Sequence, residues 1–142
     1  MTVPQIVLDT NVLVSALRSR RGASFRLLSL VDSDAFEINV SVPLVLEYED
    51  VLRREISKLT VSQDDIGDLI DYLCKIGIRH QIHFLWRPFL KDAKDDMVLE
   101  LAVTANCDYV VTYNRRDFQG VESFGLEVIE PVELLRIIGD LP

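Results

Sequence analysis

The chain has 142 residues, 49% hydrophobic and 27% charged, a make-up expected of one globular domain over residues 1–142. That length lets a chain bury roughly 70% of the surface its unfolded form exposes, enough for a sizeable core. The net charge of −8 excludes loose coating of nucleic acid through a basic surface, but not an enzyme that meets a phosphodiester through bound cations.

No run approaches the 18 apolar residues of a membrane span, and the N-terminus enters a strand pattern directly, without the look of a signal peptide. Gln5 to Leu8 reads as a buried strand that ends in Asp9. Asn11 to Leu17 reads as a short helix, followed by a basic loop from Arg18 to Gly22 that contains Arg20 and Arg21. Ala23 to Val31 is the next helix and Phe36 to Val40 the second strand. Ser41 is placed as an N-cap, with Pro43 tolerable in the first turn of a helix from Val42 to about Ile56.

Ser62-Gln63-Asp64-Asp65 resembles a capping box before a helix through Lys75, with Gly77 at its C′ position. Arg79 to Phe84 is a weak strand pattern and Trp86 to Lys91 a loop. Asp95 to Asn106 is a helix with apolar residues on nearly every side, expected between layers. Tyr109 to Thr112 and Leu126 to Ile129 read as strands, and Pro131 opens a last helix at its N1 position. Strands alternating with helices imply an α/β fold with a parallel sheet covered on both faces.

Cys74 and Cys107 lie far apart in apolar surroundings, as buried thiols of a reducing, cytoplasmic compartment do. His80 and His83 sit together in the weak strand region and read as surface or edge-strand residues.

Four acids fall beside element ends: Asp9, Glu47, Asp96 and Asp117. Parallel strands present their C-terminal ends on one edge, where ligands bind in open sheets. Carboxylates that converge there either raise one another's pKa or recruit a cation. An all-oxygen set suits Mg²⁺ or Mn²⁺. Each acid has a plainer alternative. Asp9 caps the following helix as readily as Thr10 or Asn11 would. Glu47 and Glu49 border opposite sides of one apolar stripe, and the pattern does not choose between them. Asp95 and Asp96 both favour a helix N-terminus, so capping alone accounts for one. Asp117 sits in a polar turn.

Taken in order, Val7 to Leu13, Ser41 to Glu47, Asp95 to Ala102 and Ala105 to Phe118 resemble the PIN domain family, and most of all its VapC-like branch. These metal-dependent nucleases include many toxins of toxin–antitoxin pairs. The resemblance implies a three-layer α/β/α sandwich around a parallel sheet. It matches Asp9, Glu47 and Asp96 to three acids that hold Mg²⁺ or Mn²⁺, and Asp117 to a fourth. Asn114 stands at a position that is Asp or Asn in relatives. Asn11 and Thr112 match polar residues behind the acids. It implies hydrolysis of RNA to 5′-phosphate and 3′-hydroxyl ends, and an antitoxin partner that blocks the site. Arg18, Arg20, Arg21, Arg115 and Arg116 are candidates for RNA phosphates. A homodimer fits the aliphatic outer helices, as does ordinary core packing.

Three other readings remain open. A phosphoryl-transfer enzyme of the haloacid dehalogenase type wants a second Asp where Asn11 stands. A binding module would keep the scaffold without turnover. A nuclease could also process RNA outside any toxin pair.

Overall fold

The computed structural model describes residues 2–82 and 89–142. His83, the end of the strand expected to Phe84, and the start of the loop expected from Trp86 lie outside the described residues. Five strands, β1 (Gln5–Leu8), β2 (Glu37–Val40), β3 (Ile78–Arg79), β4 (Tyr109–Val111) and β5 (Glu127–Ile129), form one sheet in the order β3-β2-β1-β4-β5. Every pairing is parallel. The helices are α1 (Thr10–Arg18), α2 (Ala23–Ser29), α3 (Val42–Arg54), α4 (Gln63–Ile76), α5 (Ala93–Thr104) and α6 (Pro131–Ile137). The result is an α/β fold whose central parallel sheet is flanked by helices, the three-layer arrangement expected. Among the described residues no helix is long and apolar enough to cross a membrane.

The strand order decides where a site can form. The chain runs outward from β1 through β2 to β3, returns to lay β4 on the other side of β1, and continues to β5. The direction therefore reverses between β1 and β4, and a crevice opens beyond their C-terminal ends. Ile6, Val7, Leu8, Val110 and Val111 are almost wholly buried, because helices cover both faces of a parallel sheet. The α5 helix packs against β1, β2 and β4. Its Val98, Leu99, Leu101 and Ala102 are all buried, which accounts for its lack of a polar face.

Local signals set most boundaries. Ser41 accepts from the Leu44 amide (3.4 Å), and the Ser62–Asp65 box closes in both directions. Pro131 opens α6 at its first turn. Gly77 departs from expectation. Its backbone is extended (φ −72°, ψ 149°), without the left-handed turn common at C′. A glycine is needed there because a Cβ would lie 2.7 Å from the Leu73 carbonyl oxygen. The weak strand also starts earlier than expected: β3 covers Ile78–Arg79, and its pairing is prolonged by the His80 amide to the Val40 carbonyl (3.0 Å). The α2 helix stops at Ser29, two residues early, and α5 starts two residues early because Asp92 caps it through the Lys94 amide (2.9 Å).

Cys107 is buried, and burial pushes its thiol up to about 12. Cys74 is half-buried. His80 Nε2 donates to Asn39 Oδ1 (2.7 Å), and the Asn39 amide nitrogen donates to the Ile6 carbonyl (3.2 Å).

Candidate functional site

Asp9 leaves the sheet still bonded to it, its amide donating to the Val111 carbonyl (2.9 Å). Its carboxylate is then fixed from three sides. Oδ1 accepts from the Thr10 amide (2.8 Å), and Oδ2 accepts from Thr112 Oγ1 (2.8 Å) and Asn11 Nδ2 (3.2 Å). Thr112 is fully buried. Its hydroxyl spends its one proton on Asp9 and receives Asn11 Nδ2 (3.1 Å) and the Asn114 amide (3.0 Å). That exhausts the hydrogen-bonding capacity of a hydroxyl. Asn11 Oδ1 receives the Tyr113 amide (3.2 Å), so the ends of β1 and β4 are stitched together by side chains. Asp9 thus caps its helix and also faces the crevice.

Burial raises the pKa of Asp9; the Thr112 and Thr10 bonds pull it down, and the charges of Asp117 and Glu47 push it up again. Glu47 is brought alongside by α3, which Tyr48 docks onto β1 by donating its hydroxyl to the Leu8 carbonyl. The Glu47 side chain is only 15% exposed and lies 3.6 Å from Lys94 Nζ. Glu49 turns away into an ion pair with Arg53 (2.9 Å). Of the two acids bordering the stripe, Glu47 is the one whose charge Asp9 feels.

The two acids that open α5 separate. Asp96 is buried, and its Oδ1 accepts the amides of Phe89 (3.2 Å) and Leu90 (2.8 Å). It holds the segment that leads into the helix. Asp95 is the residue that meets the other acids. Its pKa is raised to about 7, first by burial, then by the charges of Asp9, Asp117, Asp92 and Asp96. The sequence set Asp95 and Asp96 side by side at a helix N-terminus and the resemblance took Asp96, yet a signal for Asp95 was present. Asp95, Leu99 and Ala102 fall at i, i+4 and i+7, and the last two are fully buried. Asp95 continues that buried stripe to the rim.

Asp117 is exposed on a 3₁₀ turn, Arg115–Phe118, pinned by the buried Phe118. It shares a cleft of about 540 Å³ with Asp95, Arg116 and Phe89. Asn114 is exposed, its amide tied to Thr112. Arg115 is paired with Glu133 and so turned to α6. Arg18 lines a second cleft beside Asn11, while Arg20 and Arg21 are exposed in the loop beyond α1.

Asp9, Glu47, Asp95 and Asp117 therefore come from four elements, with Asp9 feeling the charges of Glu47 and Asp117, and Asp95 those of Asp9 and Asp117. Such a set is all oxygen and strongly anionic, which fits a hard divalent cation. It is not a closed cage: among the described residues no three Asp, Glu, His or Cys side chains are grouped closely enough to hold an ion. Charge coupling reaches further than ligation, so both observations stand.

Residues 5–116 match a family model described as PIN domain. No curated protein matches the chain in sequence. Among solved structures, it is similar to VapBC-1 from nontypeable Haemophilus influenzae, with 14% identity, a TM-score of 0.60, and coverage of 90% of this chain and 98% of that one. It is also similar to VapBC2 from Rickettsia felis bound to a DNA fragment from the promoter, with 16% identity, a TM-score of 0.57, and coverage of 87% and 98%. At such identities these likenesses speak for the fold.

Proposed function

The chain belongs to the PIN domain family, and from that premise we propose that it is a Mg²⁺- or Mn²⁺-dependent endoribonuclease, the toxin of a toxin–antitoxin pair. The observation that carries this reading is the charge coupling at the β1/β4 crevice: beyond burial, Asp117 and Glu47 raise the pKa of Asp9, and Asp9 and Asp117 raise that of Asp95. Those four residues would hold the ion. A bound divalent cation supplies a water of lowered pKa and offsets charge on the leaving oxygen. Asp9 contributes a carboxylate whose orientation is already fixed by Thr10, Asn11 and Thr112. Glu47, now beside Lys94, would supply a further carboxylate to the ion. Asp96 keeps residues 89 and 90 in place so that Asp95 stays aimed into the crevice. Arg116, beside Asp117, offers a phosphate contact. The net reaction adds water across a phosphodiester, leaving a 5′-phosphate and a 3′-hydroxyl. The two VapBC structures it resembles support an antitoxin as partner.

A second reading has an observation of its own. Lys94 already sits on Glu47, and no trio of acids has ligand spacing among the described residues. That arrangement suits a module that binds RNA without turnover. The two are separated by incubating the full chain with single-stranded RNA in Mn²⁺ and in EDTA, beside Asp9→Asn. Cleavage that needs Mn²⁺ and Asp9 supports the nuclease. Binding with no metal-dependent cleavage supports the module. An active nuclease whose expression does not arrest growth, and which no antitoxin inhibits, would act in RNA processing instead.

A further inference from the structure

A cleft of about 520 Å³ adjoins the acids on the α1 side, lined by Asn11, Val14, Ser15, Arg18, Val51 and Tyr113. We propose that it receives an unpaired nucleobase flanking the cleaved phosphodiester, with Tyr113 as its stacking surface. The inference deepens the ribonuclease reading and rests on it.

Tyr113 is 40% exposed, so much of its ring faces solvent. It is nonetheless held at both ends. Its amide donates to Asn11 Oδ1 (3.2 Å), and its hydroxyl meets the hydroxyl of the buried Ser24 at 2.5 Å. An exposed aromatic ring with a fixed plane loses little freedom when a base stacks on it. Val14 and Val51 give the cleft apolar surface, while the Ser15 side chain can meet the polar edge of a base. Arg18 adds a cation to a chain of net charge −8, where a phosphate must be met. Asn11 binds Asp9 with its amide nitrogen and Tyr113 with its oxygen, so one side chain couples the cleft to the acids. Single-stranded nucleic acid is recognised by this pairing of aromatic faces with cations, whereas a paired base would present no face to stack.

The test uses a fluorescent single-stranded RNA dodecamer and a matching dodecamer with abasic sites at its centre, bound in EDTA by the full chain, Tyr113→Ala and Tyr113→Phe. Tyr113→Ala should bind normal RNA about tenfold more weakly, while Tyr113→Phe, which keeps the ring, stays within about twofold. The unaltered chain should lose a similar factor on the abasic strand, and Tyr113→Ala should not tell the two strands apart. Equal losses for Tyr113→Ala on both strands would mean that the ring supports structure rather than a base, and would overturn the proposal. So would an unchanged affinity, which would leave the cleft to another occupant, such as a polypeptide. Mn²⁺-dependent cleavage of the normal strand by the unaltered chain distinguishes failure of the base site from failure of the ribonuclease reading. Absent cleavage sinks the nuclease, and present cleavage with unmoved binding sinks only the base site.

Discussion

The β1–α1 junction and the entry to α5 bring carboxylates to the same crevice by opposite means. At the first, Asp9 is held by Thr10, Asn11 and Thr112, so hydrogen bonds fix its direction before any ligand arrives, and Oδ1 keeps a free lone pair. At the second, the backbone satisfies Asp96 and leaves its neighbour Asp95 among like charges. One region is organised by satisfied bonds and the other is left electrostatically unfinished. A site that must grip a cation needs both: a fixed oxygen to define the position, and uncompensated charge to make occupancy favourable.

This division of labour can be broken most decisively at α5. Asp95→Asn should reduce Mn²⁺-dependent RNA cleavage at least about a hundredfold, as loss of a group central to the reaction does. Asp96→Asn keeps an oxygen for the Phe89 and Leu90 amides and should cost about tenfold or less. Rates of equal size for the two variants would erase the distinction between them.

The next effect is expected at Thr112. Thr112→Val strips Asp9 of a donor and leaves the Asn11 and Asn114 donors without their shared acceptor. Activity should fall about 10- to 100-fold, as it does when groups orienting metal ligands are removed. Denaturant titration should show a loss of about 1–3 kcal/mol.

Stability then separates the two aspartates in sign. Asp96→Ala should lower stability by about 1–3 kcal/mol, because two amides lose their acceptor. Asp95→Asn in EDTA should leave the melting temperature unchanged or raise it, since it relieves repulsion. A clear fall for Asp95→Asn would mean that its carboxylate is already compensated.

The smallest effect is in pH dependence. Folding raises Asp95 from 3.8 to about 7, so between those values the folded form binds a proton that the unfolded form has released. The associated stability is complete below about pH 4 and is lost as pH rises through about 7. Asp95 is partly exposed, so solvent keeps the effect modest. Melting curves in EDTA should show that slope, and Asp95→Asn should flatten it. Mn²⁺ should oppose it by binding the folded form.

Much of this architecture was legible because its signals are local. A strand ending in Asp9, the Ser41 cap, the Ser62–Asp65 box and Pro131 each declare themselves within four residues. Strand order is not local; nothing in the pattern says that β1 lies between β2 and β4, which is what creates the crevice. The hydropathy pattern alone did not separate Glu47 from Glu49, because both border the same stripe; the family resemblance named Glu47, and the Glu49–Arg53 ion pair is what takes Glu49 elsewhere. Asp95 was hidden by a boundary. Reading the helix from Asp95 makes both aspartates end groups of equal standing, whereas the true cap at Asp92 puts them within the first turn, where helical phase distinguishes them.

Tyr48 gives the frame around the acids a constancy that the acids lack. Burial and the nearby negative charge of Asp9 push its ionisation well above the usual phenol range. The hydroxyl therefore keeps its proton, and its grip on Leu8, through the whole interval in which the carboxylates change state. Acidification or alkalinisation near neutrality retunes what the crevice attracts without shifting the walls that define it.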